Sequence, residues 1–409
     1  MSQQSLDAEV LIVGGGLAGN TLAGLLGSEG IDCIVIEAAS RIDQTETYQN
    51  DPRALAITHA SQQILSSIDV WQRLPKERIG RFRGMHVWDQ NGNGEIDFDS
   101  VDLCQPELGH IVEQSVLQGV LEQVIGFMPK VRVYHNTCLE DIQWHADHAR
   151  VSLNNGEKLS VQLVVGADGA RSASREMAKI GSKIHDYRQK AVACVVKTAL
   201  AHENIARQRF LTDGPLAFLP MHNEKQCGIV WSTTPEHAEV LLALDMASFN
   251  LALQEAFDYT LGEVVESENR AGFALRRAEA ERYCEQGFVL IGDAAHSVHP
   301  LAGQGANLGL LDAASLAQLV LEAKSRGRNI ASRRVLRAYE RWRKGENKTM
   351  MMTMEGFKYI FENQSSPVPM LRNKALDFAN SFNPLKHIIM RHAIGLSGDL
   401  PLLAKNRMA

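Results

Sequence analysis

Six residues near the start of this 409-residue chain constrain its fold more than any others. Gly-Gly-Gly-Leu-Ala-Gly occupies positions 14–19, directly after an apolar run, Ala8–Val13, suited to a buried parallel strand. An alanine- and leucine-rich helical stretch follows to Ser28. After a break at Gly30, a second apolar run over 31–36 ends at Glu37. The pattern is a strand–helix–strand unit of about 30 residues whose second strand closes on an acid. Gly14 permits the tight turn, Gly16 lets the backbone approach a pyrophosphate, and Gly19 lets helix and strand pack closely. Leu17 and Ala18 open the helix, whose free N–H groups and dipole favour phosphate charge. Glu37 stands where it would accept hydrogen bonds from a ribose with free hydroxyls. The segment therefore reads as a site for FAD or NAD, and against a 2′-phosphate.

Composition narrows the remainder. With 45% hydrophobic and 22% charged residues the chain falls in the globular range, which excludes disorder. Its length suggests two or three domains, or one large domain with an insertion. Cys33, Cys104, Cys138, Cys194, Cys227 and Cys284 form no C-x-x-C pair and lack basic neighbours. They read as buried fillers in a reducing compartment, with no disulfide scaffold and no metal site. The start, MSQQSLDAEV, lacks the features of a signal peptide, and no run of 18 apolar residues occurs, so a soluble, cytoplasmic protein is expected. The net charge of −6 is unevenly spread: residues 331–409 carry 14 Lys+Arg against 6 Asp+Glu, leaving −14 on the rest. An acidic body argues against nucleic acid as a partner. The basic tail suits an anionic surface or a solvated helix face.

Further along, strands are predicted over 85–88, 131–134, 151–153 and 161–165, the last leading into Gly-Ala-Asp168-Gly169-Ala-Arg-Ser-Ala-Ser-Arg175. Between 191 and 274, strand-like runs (191–196, 228–231) surround one helical stretch, 237–257. Without helical crossovers they predict an antiparallel, substrate-facing sheet. A buried strand then ends in Gly292-Asp293, and three glycines around an Asn precede a long helix reaching 323. Asp293 lies at a strand's carboxyl end, where open α/β sheets place ligand contacts, and the following turn suits an anion or dipole. The chain shows no internal repeat.

Together these blocks resemble the class A flavoprotein aromatic monooxygenases. Gly292-Asp-Ala-Ala-His-Ser-Val-His-Pro-Leu-Ala-Gly-Gln-Gly-Ala-Asn-Leu-Gly309 with Asp312 is similar to the signature of their ubiquinone-biosynthesis hydroxylases. Asp51-Pro-Arg53, Leu108-Gly-His-Ile-Val-Glu113, Gly214-Pro-Leu-Ala-Phe-Leu-Pro220 and Tyr339-Glu-Arg-Trp-Arg343 agree with that group.

The resemblance implies an α/β fold: a Rossmann-like FAD-binding domain, an inserted, mainly antiparallel β-sheet substrate domain and a helical C-terminal region. Residues 1–75, 105–180 and 280–330 would form the first, 76–104 and 181–279 the second, and 331–409 the third. FAD would be held tightly and non-covalently. Gly14, Gly16, Leu17, Ala18, Gly19 and Glu37 would take its ADP half, and Arg53 a phosphate, or else a surface ion pair. Asp168, Gly169 and Arg175 form the D-G motif for the pyrophosphates, although Arg175 equally suits a structural pairing. Gly292 and Asp293 would hold the ribitol, and Pro300, Gly303, Gln304, Gly305, Ala306 and Asn307 would approach the flavin ring. Gln114 stands where many members carry Arg at a flavin contact.

With one dinucleotide fingerprint, NAD(P)H would act as a transient reductant. The reduced flavin would then form a C4a-hydroperoxide with O2 and hydroxylate the ring of a polyprenylated phenol. His296 and His299 suit backbone capping better than catalysis, and Tyr187, Phe218 and Trp231 suit either core or pocket. The tail holds 7 of the 13 methionines and suits core packing, or docking on the inner membrane or on other ubiquinone-biosynthesis proteins. The alternatives are a flavin monooxygenase of a small soluble aromatic and a non-catalytic FAD-binding subunit.

Overall fold

The computed structural model describes residues 6–41, 51–90, 95–297, 304–362, 391, 394–395 and 398–405. The first part of the chain runs β1 (Ala8–Val13), α1 (Leu17–Ser28), β2 (Cys33–Ile36), β3 (Ala54–Ile57), α2 (His59–Ser67), β4 (Ile79–Phe82), β5 (Gly84–Asp89) and β6 (Glu95–Asp99). It continues with β7 (Gly109–Glu113), α3 (Gln114–Gly126), β8 (Val131–Tyr134), β9 (Leu139–Trp144), β10 (Ala149–Leu153), β11 (Lys158–Gly166) and α4 (Ala173–Met177). Next come β12 (Ser182–Thr198), β13 (Ile205–Leu211), β14 (Gly214–Pro220), β15 (Gln226–Thr233), α5 (Pro235–Ala243), α6 (Met246–Ala256) and β16 (Val264–Ala280). The last are β17 (Cys284–Glu285), β18 (Phe288–Leu290), β19 (His296–Ser297), α7 (Gln304–Ser325) and α8 (Arg333–Glu362).

The apolar run at the start becomes the centre of a sheet ordered β17-β18-β11-β1-β2-β8, with the β9–β10 hairpin attached to β11. β1 pairs in parallel with both neighbours, Ile12 facing Val35 on one side and Val165 on the other. Val10, Leu11 and Ile12 have no exposed surface, as expected where helices cover both faces of a parallel sheet. The ends of these strands, Val13 and Gly166, carry the turns that form the dinucleotide side of the site.

A second sheet has the order β19-β16-β12-β15-β14-β13-β5-β6. Its pairs are antiparallel except β13 with β5, which run parallel. Strand alternation divides its faces. Val192, Cys194, Phe218 and Trp231 pack on Phe249, Leu253 and Phe257 beside α5 and α6. The intervening residues point the opposite way, toward the first sheet. A three-stranded sheet, β3-β7-β4, closes one side. The fold is α/β, with the mainly antiparallel sheet that the sequence predicts.

The structure corrects two expectations. The helix expected over 237–257 is two helices. Asp245 interrupts it by accepting the Ser248 N–H at 2.7 Å, an N-cap that starts α6 afresh. The cysteines are not uniformly buried: Cys104 and Cys138 are exposed. Cys104 closes a 3-10 turn at φ +52° and lies exposed. Cys33, Cys194, Cys227 and Cys284 do match the filler reading, and burial pushes each thiol up to about 12. Among the described residues, no helix is long and apolar enough to cross a membrane.

Candidate functional site

A cavity of about 990 Å³ lies between the two large sheets. Gly16, Leu17, Ala18, Arg53, Gln114, Gly169, Gly292, Asp293, Gly305 and Ala306 reach its surface. The structure therefore gathers motifs nearly 300 residues apart onto one wall. Pro300 and Gly303, with His299, lie outside the described residues, as does the side chain of Gln304.

Gly14, Gly19, Glu37, Asp168, Arg175 and Asn307 stand behind that wall and shape it. Gly14 has φ +106°, and a Cβ there would overlap the Ala167 carbonyl. A Cβ on Gly19 would overlap the Gly14 carbonyl oxygen. Gly16 differs, because a Cβ there would meet nothing within 4 Å and would project into the space a ligand needs. No side chain caps α1, which leaves its first N–H groups for an anion. A pyrophosphate fits this turn.

Two amides hold the turn from within. Asn20 Nδ2 donates to the Gly15 carbonyl at 2.6 Å, and Gln118 Nε2 donates to the same oxygen at 2.5 Å. Glu37 accepts the Gly15 N–H on Oε2 at 2.6 Å and the Ala39 N–H on Oε1 at 2.9 Å. Each carboxylate oxygen keeps further acceptor capacity for a ribose hydroxyl. Neither Asn20 nor Gln118 carried a sequence signal beyond lying on helices near the fingerprint.

In the second block, Asp168 organises its own loop. It accepts Ser172 Oγ at 2.5 Å, Ser174 Oγ at 2.8 Å and the Ser174 N–H at 2.9 Å. Arg175 is buried and donates to the carbonyls of Ala294 at 2.9 Å and Ala170 at 3.1 Å. That is the structural pairing allowed as one of its two readings. It ties the second block to the third and leaves Gly169, at φ +78°, as this motif's surface on the cavity. Arg53 is half exposed at the rim, with Nε 3.4 Å from Asp51. Asp51 also accepts the Ser115 N–H at 2.9 Å beside Gln114. Glu113, just before Gln114, is buried. Desolvation raises its carboxyl, while Arg78 pulls it back through an ion pair at 2.6 Å.

The third block turns sharply at Gly292, φ +56°. Asp293 projects its carboxylate into the cavity, where the surrounding protein raises its pKa mainly by desolvation. Behind this turn sits a buried ionic hub that spacing alone did not reveal. Asp312 of α7 accepts the Gly292 N–H at 3.0 Å, His296 Nε2 at 2.5 Å, Arg343 Nε at 2.8 Å and Asn347 Nδ2 at 3.2 Å. Burial pushes the Asp312 carboxyl up, but His296 and Arg343 outweigh it and hold the group down at about 2. His296 is thus a backing residue. Asn307 likewise works from behind: its amide accepts from Ser61 at 2.7 Å and donates to the Ala56 carbonyl at 2.7 Å.

The opposite wall is the inner face of the second sheet. Met85 and Val87, Ala191 and Ala193, Ala206 and Gln208, Ala217 and Leu219, and Val230 and Ser232 reach the cavity in strand alternation. Phe218 and Trp231 point the other way into the core, and Tyr187 stacks edge-on with His185 away from the cavity lining. Sequence reasoning expects a substrate-facing sheet here but names none of the residues that line it. The period-2 pattern in 205–211 is its one local signal.

Comparison with known proteins agrees with this geometry. The model of the FAD binding domain family matches residues 7–353. The chain is 35% identical to the 3-demethoxyubiquinol 3-hydroxylase of Escherichia coli, covering 95% of this chain and 98% of that one. It is 32% identical to the ubiquinone hydroxylase UbiL of Rhodospirillum rubrum, covering 95% and 90%. Among solved structures, p-nitrophenol 4-monooxygenase from Pseudomonas putida superposes with a TM-score of 0.77 at 19% identity, over 96% of this chain and 99% of that one.

Proposed function

Because this chain belongs to the FAD binding domain family, as a flavin-dependent aromatic hydroxylase, we propose that it hydroxylates the ring of a polyprenylated phenol in ubiquinone biosynthesis. O2 is the co-substrate and NAD(P)H the transient reductant in this reading. One observation carries it: a single cavity joins a wall built for a dinucleotide to a sheet wall whose lining is mostly apolar, with room for a ring and an apolar tail.

FAD, when bound, supplies the redox chemistry that activates O2 and delivers a hydroxyl group to the ring. The chain's own residues do the rest. The uncapped start of α1, opened by Gly14, Gly16 and Gly19 with Leu17 and Ala18, receives the pyrophosphate, and Glu37 a ribose hydroxyl. Gly169 and Arg53 approach the phosphates, with Asp168 and Arg175 setting the loop. Asp293 would accept from ribitol hydroxyls, Gln114 would face the flavin, and the N–H groups at the start of α7, around Gly305 and Ala306, would favour negative charge on the ring. The alanines of the sheet wall keep water out and leave room for an aromatic ring with an apolar tail. Peripheral contact with the inner membrane belongs to the same reading, supported by the surplus of 14 basic over 6 acidic residues in 331–409.

The test is turnover by the FAD-loaded protein with NADH or NADPH, isotopically labelled O2 and 2-geranylphenol as a short prenylated probe. A product carrying one labelled oxygen is expected. A yellow protein never reduced by either nucleotide in the presence of the probe overturns the proposal. Asp293→Ala should purify with less than about a tenth of the FAD of the parent while remaining folded. Full retention of FAD removes Asp293 from the site.

A further inference from the structure

The sheet wall carries one amide. In β13, alternation sends Ala206, Gln208 and Phe210 toward the cavity and Arg209 away from it, while Arg207 also borders the cavity. Those arginines are committed elsewhere, Arg207 to the His202 carbonyl at 2.8 Å and Arg209 to the Ala256 carbonyl at 2.9 Å. The pairing register puts Gln208 opposite Val87 on one side and Ala217 on the other. Ala217 pairs with Val230, which in turn faces Ala193. One amide therefore stands in a five-strand row of small apolar side chains.

Gln208 is 7% exposed and lines the cavity, and no side-chain hydrogen bond ties its amide to the described residues. An amide held at a cavity surface in this way is available to a ligand. Ser297, also on this sheet, is tied to the Ala278 N–H, and Ser232 lies two strands away and one pleat along. That is roughly 12 Å between Cα atoms, too far to pair with it. The amide carries both a donor and an acceptor, matching a ring hydroxyl, which needs one of each.

We propose that Gln208 is a specificity-determining residue that hydrogen-bonds the hydroxyl of the aromatic substrate and so sets how the ring lies against the sheet. The inference rests on the prenylated-phenol reading above and adds the group that recognises the phenol. The isoprenoid tail needs only apolar surface and supplies little orientation. One polar contact in an apolar wall is enough to fix which edge of the ring turns toward the cofactor.

Calorimetric titration of FAD-loaded protein with 2-geranylphenol and with geranylbenzene, its hydroxyl-free analogue, tests this without relying on turnover. The parent protein should prefer the phenol by about tenfold or more. Gln208→Leu, of similar size, should bind both ligands within about twofold of each other and keep its FAD. A Leu variant that retains the preference, or that weakens both ligands equally, overturns the proposal. Gln208→Glu, an acceptor only when ionised, provides a second reading should the Leu variant fail to fold. It should weaken 2-geranylanisole about tenfold more than 2-geranylphenol, and equal weakening also overturns the proposal. If the parent binds neither prenyl ligand, the prenylated-phenol reading fails and this inference with it. If it binds both equally, Gln208 alone is refuted.

Discussion

On the dinucleotide side of the cavity the chain presents backbone, and on the sheet side it presents side chains. The first wall consists of glycine turns and helix starts, with Gly16, Gly169, Gly292 and Gly305 at the surface and charged groups such as Asp168 and Arg175 spent behind it. The second is made largely of Ala, Val and Leu from strands that alternate in and out, with Gln208, Ser232 and Ser297 among its uncharged polar residues. A phosphate needs N–H groups at fixed spacing, so the first wall tolerates little change. An apolar ring and tail need volume, so the second tolerates substitutions that keep its shape.

The largest expected effect lies on the first wall. Gly19→Val would drive its side chain into the Gly14 carbonyl, and loss of both FAD and soluble protein is expected, beyond about 4 kcal/mol. Soluble, yellow protein from this variant would show that the turn is softer than its geometry implies.

The next largest effect concerns the small sheet between the walls. His110 of β7 is buried against Trp71, with ring centroids 4.9 Å apart, and desolvation lowers its pKa to about 4. The folded state therefore keeps it neutral where the unfolded chain, near 6.5, takes up a proton. Its contribution is complete above pH 6.5 and is lost as pH falls toward 4, on the order of 3 kcal/mol in all. Urea unfolding across that range should fall more steeply for the parent than for His110→Phe. Parallel slopes would mean the imidazole is already charged.

The smallest effect contrasts the walls directly. Gly16→Ala places a methyl group in open space, so the melting temperature of the apoprotein should hold while FAD affinity falls about tenfold or more. Ala217→Val on the sheet should do the reverse, sparing FAD and raising KM for the prenyl phenol by about threefold to tenfold. If both variants shift the same constant, the division of labour between the walls is wrong.

The same contrast explains what could be read from the chain. The fingerprint is contiguous, so β1, α1 and the turn between them were legible, as was the buried strand β11 before Asp168. The sheet wall takes one or two residues from each of several strands, and no window of sequence holds enough of it to stand out. The long ribbons β12 and β16 extend through exposed, charged stretches such as Lys183, Asp186 and Arg188, where apolar alternation is absent. Only pairing between them, with Ser182 opposite Ala280, makes those stretches strands. Asp312 and Arg343 were visible as a family pattern, but their meeting depends on how α7 and α8 pack. Asp245 could have warned of the break between α5 and α6, since Asp is a favoured N-cap residue.

The route of the chain through the dinucleotide sheet bears on how the protein is made. β1 meets its neighbour β2 within the same strand–helix–strand unit, yet its other neighbour β11 ends at Gly166 and β18, on the far side of β11, ends at Leu290. Asp312 has His296 beside it but lacks its arginine partner until Arg343 has also been synthesised. The sheet around β1 therefore stays incomplete until residues far along the chain have been synthesised. A nascent chain released before residue 343 would lack the arginine that completes the ion cluster behind the Gly292 turn.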